Sequence, residues 1–155
     1  MIQRIQSVYL VLTFLLSVLF LSGEFFTFSN SGGTRIVMDF NGLWRSGGSA
    51  GLELTGNHYY LTIVFILIGL ASFIDIFLYR KRRLQLLLAK ILVFITAASA
   101  GLTIYYLIYL PGQYEVSLVP GYRIIIPPLV LVLCLLAHHG IRKDEELIRS
   151  YDRLR

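Results

Sequence analysis

YYLTIVFILIGLASFIDIFLY-RKRR-LQLLLAKILVFITAASAGLTIYYLIYL, from Tyr59 to Leu110, sets two long apolar runs on either side of four consecutive basic residues. The runs are Tyr59–Tyr79 and Leu84–Leu110, and the bases are Arg80, Lys81, Arg82 and Arg83. Crossing ~30 Å of hydrocarbon takes roughly 20 apolar residues at about 1.5 Å each, a length both runs meet. Neither run keeps the polar face that a soluble amphipathic helix turns toward water. With so little chain between them, the two helices must form a tight antiparallel hairpin. The basic turn then marks the cytoplasmic side of a membrane.

Two further runs lie outside this hairpin. The first extends from Ile5 to about Phe28, behind Arg4. It is longer than the ~7–15-residue apolar core of a signal peptide and lacks a small-residue cleavage site, so it reads as an uncleaved span. The last runs from Tyr122 to His139 and carries Pro127 and Pro128 near its start. Proline is tolerated in a first helical turn, where the missing N–H has no partner anyway. If the helix begins at Tyr122, a local irregularity is expected at Pro128. Overall, 56% of the 155 residues are hydrophobic and 15% charged, against about 45–50% and 25% in soluble domains. The expected fold is an all-α membrane protein, a bundle of four transmembrane helices with spans at 5–28, 59–79, 84–110 and 122–139.

Charge sets the orientation. Arg4, the Arg80–Arg83 cluster, Lys90, Arg142, Lys143, Arg149, Arg153 and Arg155 fall on one side, and Arg35, Arg45 and Arg123 on the other, eleven against three. This asymmetry places both termini in the cytoplasm. It also accounts for the net charge of +5 through an anionic membrane surface, so the expected partner is the lipid bilayer and not nucleic acid.

Residues 24–58 then form an outer loop of 35 residues, too long for a plain connection. Phe25, Phe26 and Phe28, a Ser29–Gly33 turn and Thr34–Phe40 read as a β-hairpin. Asn41-Gly42-Leu43-Trp44 follows, and Ser46-Gly47-Gly48-Ser49 reads as a flexible turn. In the second outer loop, 111–121, the alternation of Tyr114–Val119 predicts a third strand. A small extracytoplasmic sheet is expected, with Trp44 as its interface residue and with tyrosines near the span ends in an aromatic belt.

Ionisable groups in hydrocarbon are costly and call for an explanation. Asp75 lies five residues before the basic turn and Lys90 seven after it, which gives them equal depth in an antiparallel hairpin. The expectation is an intramembrane ion pair that clamps the register of the two helices. A proton relay would need further acids, and the spans supply none. His138 and His139 are adjacent, so they do not share a helix face and form no metal site on their own. Ala97 with Gly101, and Gly69 with Ser72, have the small-residue spacing of close helix approach. The single cysteine, Cys134, excludes an intramolecular disulfide and a multi-cysteine metal site. No nucleophile–base pair, paired carboxylates or metal constellation is present, so no enzyme, cofactor or metal is expected. After Gly140, Ile141, Leu147, Ile148, Tyr151 and Leu154 fall near one helical stripe, which predicts a cytoplasmic amphipathic tail helix over 140–155 with a docking face.

The ends Met1–Leu10 (MIQRIQSVYL) and Ile141–Arg155 (IRKDEELIRSYDRLR) resemble the opening and closing signatures of a domain-of-unknown-function family of small bacterial four-span membrane proteins. That resemblance implies a bacterial inner-membrane location and carries no catalytic residues. The order of spans and loops is also similar to claudin-type proteins, in architecture alone, because the outer loop has no cysteine. The function expected is that of a non-enzymatic accessory, assembly or scaffold subunit that engages other membrane proteins, or a second copy, through its outer loop and tail. The alternative is a small transporter, channel or lipid-binding protein. A transporter would need a polar route, for which Thr13, Ser17, Thr62, Ser72, Thr96, Ser99 and Thr103 are the candidates.

Overall fold

A computed structural model describes residues 3–30, 32–47, 50–56, 59–78 and 81–152. Helix α1 (Gln3–Leu21) leads into strands β1 (Phe26–Ser29), β2 (Arg35–Asp39), β3 (Gly42–Gly47) and β4 (Ala50–Gly56). Helices α2 (Tyr60–Phe77) and α3 (Arg82–Tyr114) follow, then β5 (Ser117–Val119), a 3-10 turn (Tyr122–Ile125) and α4 (Ile126–Asp152). Helix α1 packs against α2 and α4, and α3 packs against the same two, so each helix has two helical neighbours.

The helices are apolar on their outsides. Phe94 is 67% exposed and Ile108 72%, and Val8, Leu15, Ile63, Leu70, Leu129 and Leu136 also face outward. Tyr60–Phe77, Arg83–Tyr114 and Tyr122–Leu147 are long and apolar enough to cross a membrane, while Ile5–Leu21 is a shorter apolar helix. A helix that is hydrophobic all round is a core or membrane helix. Here the outward-facing residues keep much of their apolar surface uncovered by the described residues.

The five strands form one antiparallel sheet in the order β4-β3-β2-β1-β5. Between β1 and β2, Asn30 accepts from the Gly33 amide and donates to Thr34, and Gly33 takes φ +81°, where a side chain would be strained. Between β2 and β3, the Asp39 carboxylate accepts the amides of Asn41 and Gly42 and the indole N–H of Trp44. This is the local side-chain-to-backbone bonding that fixes short turns. Phe26 opposite Met38 and Phe28 opposite Ile36 lie buried, together with Leu43, in the core that the sheet shares with the helix ends. The Thr62 hydroxyl at the start of α2 donates to the Phe40 carbonyl and ties sheet to helix.

The expected hairpin between β1 and β2 and the third strand, β5 on β1, are present. Five boundaries differ from the sequence reading. Helix α1 ends at Leu21 and not at Phe28. The Ser22 hydroxyl turns back to the Leu19 carbonyl, and Phe25–Phe28 are apolar because they enter the sheet core. The Ser46–Ser49 stretch is flanked by paired strands β3 and β4, although residues 48 and 49 themselves lie outside the described residues. Helix α3 continues through Pro111 to Tyr114, and Glu115 ends it with a left-handed φ of 51°. There is no separate tail helix after Gly140, because α4 runs unbroken to Asp152. Helix α4 begins at Ile126 and not at Tyr122, so Pro127 and Pro128 sit in its first turn, and the irregular backbone is the 3-10 turn before it, not Pro128.

Candidate functional site

Every helix turns small or polar side chains inward. On α3 the buried positions are Gln85, Ala89, Leu92, Thr96, Ser99, Thr103, Tyr106 and Leu110, alternating steps of four and three. On α1 they are Gln6, Leu10, Thr13, Ser17 and Phe20. This is the 3.5-residue spacing of a packed helix seam, with many further Leu and Ile side chains on the outside. Five of the candidate hydroxyls bond to their own helix: Ser17 to the Thr13 carbonyl, Ser72 to Gly69, Thr96 to Val93, Ser99 to Thr96 and Thr103 to Ser99, whereas the Thr13 hydroxyl lies 3.8 Å from the Cys134 sulfur across α1 and α4. Such back-bonding consumes those five donors locally along the candidate polar route. At the sheet end it meets Phe20, whose ring stacks on Phe65 at 4.0 Å and on Phe25 at 4.5 Å.

Asp75 is 0% exposed on the same inner surface. Neither of its carboxyl oxygens has a hydrogen-bond partner among the described residues. The Gln85 amide reaches the Asp75 backbone carbonyl at 3.5 Å rather than its side chain. Lys90 is exposed, so the expected Asp75–Lys90 pair is not formed. Equal depth does not by itself give contact, because azimuth decides it. Ala89 is the inward residue of that turn, and Lys90 lies one residue, about 100°, further round.

Gly69 faces Ser17, whose Cβ would lie 3.7 Å from an added methyl, and this gives the expected close approach of α1 and α2. Gly101 has nothing within 4 Å of such a methyl, so it marks no helix contact. Of the basic cluster, Arg80 lies outside the described residues, while Lys81 precedes α3 and Arg82 and Arg83 open it. Of the expected tail face, Ile141 is buried and Leu147 exposed; Ile148 and Tyr151 are described only as helix, and Leu154 lies outside. The α4 extension is instead held to α1 by the Gln6 amide, which donates to Asp144 at 2.6 Å. No group of three or more metal-ligating side chains occurs among the described residues.

Two clefts open beside the sheet and share Glu24 and Arg35. One, of about 440 Å³, is lined by Gly23, Glu24, Phe26, Arg35, Tyr122 and Arg123 among others. The other, of about 500 Å³, is lined by Glu24, Arg35, Val37, Asp39, Trp44 and Ser46. Arg35 pairs with Glu24 at 3.2 Å, and the Thr27 hydroxyl donates to the same carboxylate oxygen at 3.0 Å. Arg123 donates to the Glu24 backbone carbonyl at 2.8 Å and lies 5.4 Å from the Tyr122 ring centre. Trp44 thus lines a cleft, as an interface residue would, and its indole N–H is anchored by Asp39. The sequence marked Arg123 only as one of three bases on its side. Its partners Gly23 and Glu24 are about a hundred positions away, and no local pattern joins them.

The chain is therefore a mostly helical protein with three helices long and apolar enough to cross a membrane and a small antiparallel sheet at one end. Its residues 2–154 match the model of a domain of unknown function, DUF4293, and it belongs to that family. Neither the curated proteins nor the solved structures give a match.

Proposed function

We propose that this protein is a multi-pass protein of the bacterial inner membrane whose four helices cross the bilayer as a bundle, with both termini in the cytoplasm and the sheet outside. It acts without catalysis, as an accessory, assembly or scaffold subunit that presents the sheet and the end of α4 to other membrane proteins or to a second copy. The apolar outer surface of the helices and the eleven-to-three distribution of Lys and Arg support the placement.

The observation that carries the role is the distribution of recesses and polarity. The two polar clefts lie at the sheet, with β4 as an edge strand. Five of the interior hydroxyls are bonded to their own helices beneath a stack of phenylalanines. That arrangement favours recognition at the surface over passage through the middle. An edge strand with unpaired N–H and C=O groups is a ready template for a partner's strand.

The test is cross-linking followed by purification from native membranes, comparing the intact chain with Trp44→Ala and with a chain lacking residues 148–155. Partners recovered with the intact chain should be lost from at least one variant. An identical partner set from all three would refute the reading. In a Cys134→Ser background, Ser46→Cys should react with an impermeant thiol reagent in intact cells and Lys143→Cys should not. The reverse pattern would invert the orientation.

A further inference from the structure

We infer that the cleft between Glu24, Arg35 and Arg123 binds the phosphate of a glycerophospholipid headgroup in the outer leaflet. This inference rests on the membrane placement proposed above, but it needs no protein partner.

The cleft has the charge for one anion. Two guanidinium groups and one carboxylate line it, and the carboxylate is already engaged by Arg35 and Thr27. Arg123 is also incompletely used. Its Nη1 is committed to the Glu24 carbonyl, whereas its Nε is shielded from solvent and has no acceptor among the described residues. A guanidinium offers five donors in a planar fork that suits phosphate oxygens, and a shielded donor left unpaired costs roughly 1–3 kcal/mol. An incoming acceptor would recover that cost. Gly23 makes room for the fork, because a Cβ at this position would collide with the Arg123 guanidinium.

The depth is also right for a headgroup. Arg123 lies three residues before the first residue of α4, and Gly23 and Glu24 lie just past the last residue of α1. Tyr122 and Ile125 beside it are 68% and 64% exposed, on the surface the helices offer to lipid. Phe26 and Ile124 add apolar lining, which suits glycerol and the first acyl carbons. An arginine here runs against the charge asymmetry of the whole chain, and a headgroup phosphate supplies its counter-charge.

The test uses the purified full-length chain, delipidated in detergent and titrated by native mass spectrometry. The probes are dioleoylphosphatidylglycerol, dioleoylglycerol, which has the same tails without phosphate, and soluble glycerol 3-phosphate. Phosphatidylglycerol should bind at least tenfold more tightly than dioleoylglycerol. Arg123→Gln should weaken it at least tenfold, and Arg45→Gln, on β3 and lining neither cleft, should leave it unchanged. Should Arg123→Gln not fold, Arg35→Gln, an exposed side chain, should give a weakening of at least threefold. Glycerol 3-phosphate binding as tightly as the lipid would keep phosphate recognition and make a soluble ester its source. Equal binding of the two lipids, or binding indifferent to both arginines, would overturn the inference.

Discussion

Asp75 offers the sharpest test of how the helices are held together. Its two carboxyl oxygens are fully buried and lack partners among the described residues, and leucine has nearly the same shape with two methyl groups in their place. Leaving a buried polar group unpaired costs about 1–3 kcal/mol, whereas an apolar isostere carries no such cost. Asp75→Leu should therefore stabilise the protein by about 1–3 kcal/mol, a five- to 150-fold shift in the unfolding equilibrium. For a chain of this size each kcal/mol moves Tm by roughly 2–4 °C, so thermal unfolding in detergent should show a rise of several degrees. Lys90 supplies the control. Because it is exposed and does not meet Asp75, the double-mutant cycle of Asp75→Leu with Lys90→Leu should give a coupling below about 0.5 kcal/mol. A loss of stability in Asp75→Leu together with a coupling above 1 kcal/mol would show that the two residues are paired, and the reasoning from azimuth would fail.

Three other substitutions probe separate parts of the molecule. Phe20→Ala removes the ring shared by the Phe65 and Phe25 stacks and should cost about 3–5 kcal/mol in the same unfolding assay. Asp39→Ala deletes the acceptor of two turn amides and the Trp44 indole. It should cost about 1–3 kcal/mol and shift the emission of the protein's single tryptophan to longer wavelength as the ring is released. Gln6→Ala breaks the hydrogen bond to Asp144. It should cost about 1–2 kcal/mol and speed amide hydrogen exchange in α4 beyond Gly140, with exchange around Cys134 unaffected.

Run length made the α2–α3 hairpin legible, because two apolar runs with four bases between them admit few other arrangements. The Ser29–Gly33 turn cluster between two extended stretches revealed β1 and β2, and alternation revealed β5. The end of α1 was not legible, since Phe25 to Phe28 continue its apolar run while serving a different core. Strands β3 and β4 were hidden by the Gly/Ser-rich segment between them, whose composition suits a tight connection as well as a flexible one. The inner surface could have been read from the regular recurrence of small and polar residues, as in Gln85, Ala89, Thr96, Ser99 and Thr103. In helices whose apolar side faces outward, those residues mark the inside, the reverse of the rule for water. Counting along the chain gives only an expected depth for Asp75 and Lys90, and whether they face each other requires the helix phase. The Arg123 cleft depends on residues drawn from both ends of the chain, and only the fold brings them together.

Helix α4 has 27 residues, which makes it a rod of about 40 Å. Its sheet-side end is preceded by the turn that holds Arg123 to the Glu24 carbonyl, and its far end is latched to α1 by Asp144 and Gln6. A stiff rod fastened at two points to α1 and the residues just past it is a gauge of length: the two attachments fix how far α4 can slide along α1.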